Sequence, residues 1–291
     1  MRNAIVFIFL FLLYSDFFRK EGAHLLKFIA VSDFRCDYEK HNESCIPEVS
    51  QKKLDFIEEV TGKNVRFIAD LGDSLSENIP PENAPELFKN IFYAYDRIAD
   101  IHSVMGEHDF LLTKEKYLDL NDYAMRYRAF DHSDYRCIFL DSCVKDSDDN
   151  VYFEIDDEQI MWLSRLLGKS HRPAIIFTHA PIAVSDSTDE DKTIKNSSRL
   201  RELIETSNKV SLVVSGHLNH SDFVYSGNVP YITLAPMCGS DDATFAEITV
   251  SSRGVDIKGY GNQNSHTVPK TTEKVTKPTF FSKLRKIFKR K

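Results

Sequence analysis

The sequence lacks the cysteine spacing of two large protein classes. No C-x-x-C pair occurs in it, so neither a zinc ribbon nor a disulfide framework is predicted. In an oxidising compartment, Cys36 and Cys45 are close enough in the sequence to close a loop, and scattered buried thiols are the alternative. The five cysteines are Cys36, Cys45, Cys137, Cys143 and Cys238.

The sequence also lacks an apolar run long enough to cross a bilayer as a helix, which takes roughly 20 residues. The longest run, residues 4–14, ends before Ser15 and has the length of the apolar region of a secretory signal peptide. No good small-x-small cleavage site follows it, so an uncleaved anchor is the alternative. We therefore predict a signal peptide or a short hydrophobic anchor at residues 1–23. This predicts a protein of the secretory pathway that is secreted or membrane-associated.

Charge is distributed unevenly along the chain. Residues 1–265 carry a net charge of −15, and residues 266–291 carry +8. Nucleic-acid-binding proteins present basic surfaces to the phosphate backbone. An acidic body therefore argues against nucleic acid as a partner.

The basic charge lies in the carboxyl-terminal tail. Residues 263–279 have little to bury and are predicted to form a flexible linker. Residues 280–291, FFSKLRKIFKRK, carry six cations and no anion, and their apolar residues share one helical face. Basic amphipathic helices of this kind bind anionic membrane surfaces. We predict such a contact here; a solvated basic tail, or one that pairs with the acidic body, is the alternative.

The central part of the chain alternates between two periodicities and contains no internal repeat. Runs of β-branched and apolar residues predict buried strands, and helical spacing lies between several of them. After residue 222, short strands separated by turns are predicted instead. This order indicates an α/β domain over residues 24–262. The six predicted buried strands are residues 25–31, 64–71, 100–105, 135–141, 173–178 and 209–215. The main predicted helices are residues 49–60, 85–98 and 197–206, and a further one is at 160–167, which Asp156 and Gln159 would open as a capping box.

Five of these strands end in side chains that bind metals or move protons. Because ligands of α/β sheets bind at the carboxyl ends of the strands, these side chains are expected to converge. The mixture of carboxylate and imidazole ligands suits manganese, iron or zinc. In chain order they are Asp33, Asp73, Glu107-His108-Asp109, His179 and His217.

This order of motifs resembles the calcineurin-like metallophosphoesterase superfamily, whose pattern is D-x-H, G-D, G-N-H-[DE], a lone H and G-H-x-H. The segments VPYITLAP, TFAEITV and GVDIKGYG resemble its branch of purple-acid-phosphatase-like enzymes and ADP-ribose/CDP-alcohol diphosphatases. The resemblance implies two packed mixed β-sheets flanked by helices, with one or two divalent metal ions at the strand ends. It also implies hydrolysis of a phosphomonoester, phosphodiester or diphosphate of a small molecule or protein.

The resemblance also implies a role for each motif residue. Asp33 would serve the first metal, and Asp73 would bridge the two metals. His108 would donate a proton to the leaving oxygen or hold the phosphate, while Asp109 would orient its ring. The second metal would be held by Glu107, His179 and His217.

Two positions depart from the family pattern at the first metal. Arg35 stands where the family has a histidine, and Asn219 replaces the second histidine of G-H-x-H, with His220 one place later. Arginine cannot bind a cation, and a guanidinium about 4 Å from a divalent ion is repelled by about 8 kcal/mol at an effective dielectric constant near 20. Either Arg35 turns away, with His220 reaching in, or the first metal is absent; we predict about one metal per chain.

Two hypotheses about function follow. In the first, the protein is a hydrolase with one firm metal, and Arg35 binds the substrate phosphate. In the second, it is a pseudo-phosphatase that binds a phosphorylated ligand or partner without turnover.

Overall fold

A computed structural model describes residues 25–36 and 46–270, apart from the side chains of Val49 and Lys63. The predicted signal peptide or anchor (1–23), Cys45 and the predicted basic segment (280–291) lie outside those residues. Among the helices of the described part, none is long and apolar enough to cross a membrane.

The described residues form fourteen strands and five α-helices. The strands are β1 (Leu26–Val31), β2 (Ile68–Asp70), β3 (Ile101–Ser103), β4 (Arg128–His132), β5 (Tyr135–Phe139), β6 (Cys143–Lys145), β7 (Val151–Phe153), β8 (Ala174–Phe177), β9 (Val210–Ser215), β10 (Asp222–Ser226), β11 (Val229–Thr233), β12 (Phe245–Ser251), β13 (Gly254–Tyr260) and β14 (His266–Pro269). The helices are α1 (Glu48–Thr61), α2 (Ala84–Asp96), α3 (Lys114–Leu120), α4 (Asp157–Lys169) and α5 (Ser197–Ser207).

The strands form two mixed six-stranded sheets and a small hairpin. The first sheet has the order β14-β13-β12-β1-β2-β3, with β1, β2 and β3 parallel to one another. The second has the order β10-β11-β9-β8-β5-β4, with β5, β8, β9 and β11 parallel. Strands β6 and β7 pair separately. The parallel strands therefore carry their carboxyl ends, and the loops that follow them, to one edge of each sheet.

Three apolar clusters hold the layers together. The central cluster lies between the two sheets, where the stacked rings of Phe139 and Phe177 have centroids 4.4 Å apart. The second cluster joins the outer face of the first sheet to α1, α2 and α3. The third joins the second sheet to α4 and α5. The protein is thus a four-layer helix–sheet–sheet–helix sandwich, and both sheets are buried on both faces.

The predicted strands and helices are confirmed, with boundaries shifted by a few residues. The predicted cap before α4 is half right. The Asp156 side chain accepts a hydrogen bond from the Gln159 amide at 2.9 Å, but the Gln159 side chain bonds the backbone of Asp141. Strand β4, the β6–β7 hairpin and α3 were not predicted.

The predicted end of the domain at residue 262 is wrong. Strand β14 pairs with β13, and Val268 packs against the central cluster. The hydroxyl of Thr267 also donates to Asp256 Oδ1 at 2.7 Å. Residues 266–269 thus extend the first sheet and do not belong to the predicted linker 263–279.

Candidate metal centre

The loops after the parallel strands have unusual backbone geometry. Asp33, Arg35, Asp73, His217 and Asn219 all have positive φ angles, between 42° and 74°. This left-handed region costs energy for residues other than glycine, and it is found most often where function requires it. Four of these residues, Asp33, Arg35, Asp73 and His217, bring their side chains together, whereas the Asn219 side chain is exposed.

Gly106 allows two of these loops to approach closely. A β-carbon at this position would lie 2.1 Å from Asp73 Oδ1 and 2.4 Å from the Asp73 amide nitrogen. Glycine is needed here because no side chain fits against Asp73, and its φ angle is not in the left-handed region.

The first predicted metal position is filled by a guanidinium group. Asp33 and Asp73 are fully buried, and Nη2 of Arg35 lies 3.2 Å from Asp33 Oδ1 and 3.2 Å from Asp73 Oδ2. Burial by itself lowers the pKa of Arg35, but the two carboxylates outweigh it and raise that pKa, so the group stays a cation. Arg35 therefore does not turn away. It neutralises the carboxylates that would otherwise hold the first metal.

The second predicted metal position brings three side chains together. Glu107 Oε2 lies 2.5 Å from His179 Nε2, and Glu107 Oε1 lies 2.9 Å from His217 Nδ1. His179 Nδ1 bonds the Leu71 carbonyl oxygen at 2.7 Å, so Nε2 is the nitrogen that faces the site. Burial opposes the charged form of His179, but Asp73 and Glu107 outweigh it and raise its pKa.

His217 contacts the same carboxylate. Its Nδ1 is buried and lies 2.9 Å from Glu107 Oε1, so Glu107 is the polar neighbour of this nitrogen. Glu107 and His179 belong to a group of ligand atoms close enough together to hold one divalent ion, and His217 stands beside Glu107 outside that group. The Arg35 position does not fit a second ion.

His108 lies at the rim of this centre, at the start of a short 3₁₀-helix (His108–Leu111). Its Nδ1 is 3.2 Å from Glu77 Oε2, and its Nε2 is 3.7 Å from Asp73 Oδ2 and 4.0 Å from Glu107 Oε1. Burial and the nearby Arg35 lower the pKa of His108. The ring therefore presents one nitrogen to the centre, and Glu77, which sequence analysis missed, contacts the other.

The role predicted for Asp109 is wrong. Its fully buried carboxylate accepts hydrogen bonds at 2.9–3.2 Å from four backbone amides and does not orient the His108 ring. Burial raises the pKa of Asp109 to about 6, although these bonds oppose the rise. Asp109 fixes the two loops relative to each other. The four amides belong to Asp73, Ser74, Leu75 and Gly106.

The alternative ligands after Gly216 are also placed differently from the prediction. The ring of His220 contacts the Leu218 carbonyl oxygen at 3.0 Å and Asp189 Oδ2 at 3.3 Å, so both of its nitrogens are engaged outside the centre. The Asn219 side chain is exposed. The expectation that His220 would reach in as a metal ligand is therefore wrong, and Asn219 does not replace the missing histidine.

Cys143 is a member of the centre that the sequence analysis missed. Its sulfur, a carboxylate oxygen of Glu107 and a ring nitrogen of His179 all lie within 4.8 Å of one another. Burial, with Glu107 and Asp141 nearby, raises the pKa of this thiol well above its ordinary value. The signal was its position four residues after Phe139, past the carboxyl end of the parallel strand β5, where a side chain is expected to face the site.

Comparisons with known proteins bear on this arrangement. A model of the calcineurin-like phosphoesterase family matches residues 26–220, and no curated protein sequence matches the chain. The chain is similar in structure to a dimetal phosphatase from Danio rerio, at 15% identity and a TM-score of 0.71, over 85% of this chain and 100% of that one.

Two further solved structures share the fold. GAP50, described as the anchor in the inner membrane complex of Plasmodium, is 18% identical with a TM-score of 0.55, over 86% of this chain and 90% of that one. A purple acid phosphatase from yellow lupin seeds is 11% identical with a TM-score of 0.57, over 85% of this chain and 54% of that one. The predicted fold, two mixed sheets flanked by helices, is confirmed.

Proposed function

We propose that this chain, which belongs to the calcineurin-like phosphoesterase family, hydrolyses a phosphate ester or anhydride bond with one divalent metal ion. Its substrate would be a phosphorylated small molecule or protein, attacked as a phosphomonoester, phosphodiester or diphosphate. The observation that carries the proposal is the position of Glu107, whose two carboxylate oxygens face His179 and His217.

The metal would be held by Glu107 and His179, with His217 2.9 Å from Glu107 Oε1 as a further ligand to be tested and Asp73 Oδ1 3.7 Å from His179 Nε2. When bound, it supplies a Lewis acid that polarises a phosphoryl oxygen and lowers the pKa of a water molecule. His108 contributes the proton chemistry, because the contact of its Nδ1 with Glu77 leaves Nε2 directed at the centre. From there it donates a hydrogen bond to the phosphate or a proton to the leaving oxygen.

Arg35 supplies positive charge in place of a second metal. Its side chain is 21% exposed, so the guanidinium reaches solvent while it pairs with Asp33 and Asp73. Arginine presents planar N–H groups that bind phosphate oxygens in pairs. We assign to Arg35 the role of holding the substrate phosphate beside the single metal.

A second candidate function is binding of a phosphorylated ligand or partner without turnover. The observation that favours it is the same pair of contacts from Arg35, because a guanidinium cannot act as a Lewis acid or activate water. GAP50, which shares this fold, is itself described as an anchor. In this alternative the centre recognises phosphate and the chain acts through the partner it holds.

The two candidate functions are separated by a turnover assay. The chain would be stripped with a chelator, reconstituted with manganese, iron or zinc, and tested against a panel of phosphomonoesters, phosphodiesters and diphosphates. We expect metal-dependent hydrolysis, with His108→Ala losing turnover, by about 10²–10⁴-fold for a general acid, while it keeps its metal. Metal-loaded protein that binds phosphate but hydrolyses nothing in the panel would establish the binding function instead.

A further inference from the structure

Cys143 is fixed beside the proposed metal ligands by its backbone. It opens β6, where it pairs with Phe153, and its carbonyl oxygen accepts a hydrogen bond from Lys114 Nζ at 2.6 Å. Lys114 is itself anchored by Asp141 Oδ2 at 2.6 Å. The side chain is fully buried. These contacts hold the backbone of Cys143 in place, and its buried sulfur lies near Glu107 and His179.

The spacing of the three ligand atoms suits one ion. Zinc binds sulfur at about 2.3 Å and nitrogen or oxygen at about 2.0–2.2 Å, so in its tetrahedral geometry two ligand atoms lie roughly 3.3–3.7 Å apart. The sulfur of Cys143, an oxygen of Glu107 and a nitrogen of His179 lie within 4.8 Å of one another. Around a cation, Glu107 Oε2 and His179 Nε2, which lie 2.5 Å apart, would move apart while the sulfur of Cys143 moves toward them.

We propose that Cys143 is a thiolate ligand of the metal held by Glu107 and His179, a set of three protein ligands that leaves a position open for water or substrate, and that it makes this centre selective for zinc over manganese and magnesium. Carboxylate, imidazole and water suit several divalent ions, whereas a thiolate favours soft or borderline ions such as zinc. Binding forms a metal–sulfur bond and releases the thiol proton to solvent. This inference deepens the proposed function and rests on its metal centre.

The test uses cobalt(II) as a spectroscopic substitute for zinc in the full chain. Thiolate ligation gives a sulfur-to-cobalt charge-transfer band in the near ultraviolet, and a bound cobalt ion without sulfur gives only weak visible bands. We expect the charge-transfer band in the wild-type protein and in the matched control Cys137→Ser, whose cysteine is buried in the central cluster. Cys143→Ser should lose that band and keep the visible bands.

Affinity for the metal provides a second measurement. Loss of an outer-shell partner lowers metal affinity by about 10–100-fold, so loss of a direct ligand should cost at least as much. We expect Cys143→Ser to lower zinc affinity at least about tenfold in a competition titration and to change manganese affinity less. Equal losses for the two metals would contradict the proposed selectivity.

The outcomes distinguish this inference from the function it rests on. Cobalt that binds to the wild-type protein without a charge-transfer band, or a band that survives in Cys143→Ser, overturns the thiolate ligand and leaves the metal centre standing. A wild-type protein that binds no cobalt overturns the metal centre itself. A wild-type spectrum without the band overturns the thiolate ligand whatever the variant does. Visible bands retained in Cys143→Ser show that this variant still folds and binds cobalt, so that loss of its charge-transfer band assigns the sulfur to Cys143.

Discussion

Nη2 of Arg35 lies 3.2 Å from Asp73 Oδ2, the carboxylate that would have to bridge two metals. The same nitrogen lies 3.2 Å from Asp33 Oδ1. One cation therefore neutralises both buried carboxylates. A divalent ion could enter this position only if the guanidinium left, because the repulsion between them is about 8 kcal/mol at 4 Å and an effective dielectric constant near 20.

Metal stoichiometry follows directly from this contact. We expect about one metal per chain in the wild-type protein, measured by elemental analysis after reconstitution with zinc or manganese. Arg35→His combined with Asn219→His should raise the value toward two, because it restores two ligands and removes the competing cation. Asn219→His alone is the control and should stay near one. Two fully occupied metals in the unmodified protein would refute the prediction.

Much of the site could be predicted because its residues follow strands. Asp33, Asp73, Glu107, His179 and His217 each stand at the carboxyl end of a buried run, and parallel strands bring such ends together. The fold followed from the same runs, since their periodicity and the helical spacing between them are local properties. The superfamily expected from these motifs is the one whose model matches the chain.

The features of the site and the fold that were not predicted depend on tertiary contacts, which local sequence patterns do not show. Asp109 adjoins His108 in the sequence, yet its carboxylate is taken by backbone amides of two loops. Cys143 reaches the centre through a hairpin that was not predicted, and His220 is drawn away by Asp189. Strand β14 was missed because its short, mostly polar sequence is stabilised only by pairing with β13.

Asp109 should be essential to stability, since its carboxylate accepts four backbone hydrogen bonds. Leaving a buried donor unsatisfied costs about 1–3 kcal/mol. We therefore expect Asp109→Ala to lower the free energy of unfolding by about 3 kcal/mol or more, measured by urea denaturation in the presence of a chelator. Asp109→Asn keeps one acceptor oxygen and should lose less. A loss below about 1 kcal/mol for the alanine variant would mean that the loops hold their conformation without Asp109.

The predicted membrane contact of residues 280–291 is tested by vesicle flotation. Two proteins that both begin at residue 24 would be compared, one complete to residue 291 and one ending at Lys270, so that both retain β14. Each basic residue near an anionic surface contributes about 1 kcal/mol. We expect only the longer protein to float with anionic vesicles, and salt to release it. If both proteins floated to the same extent, with no effect of salt, residues 280–291 would not be a membrane contact.

Asp70 should make stability depend on pH. Burial raises its pKa to about 7, even though Ser74 Oγ at 2.6 Å and the Gly72 amide at 3.2 Å donate to it. Between about pH 4 and 7 the unfolded chain ionises this group while the folded chain keeps the proton, so the free energy of unfolding falls as pH rises, by up to about 4 kcal/mol. The side chain of Asp70→Asn is neutral in the folded and in the unfolded chain. Its free energy of unfolding should therefore not show this fall between about pH 4.5 and about pH 8, measured by urea denaturation near the two ends of the range. The control is Asp55→Asn, the same change at a side chain that is 60% exposed. Parallel profiles for wild type and Asp70→Asn would show that Asp70 is already ionised in the folded protein.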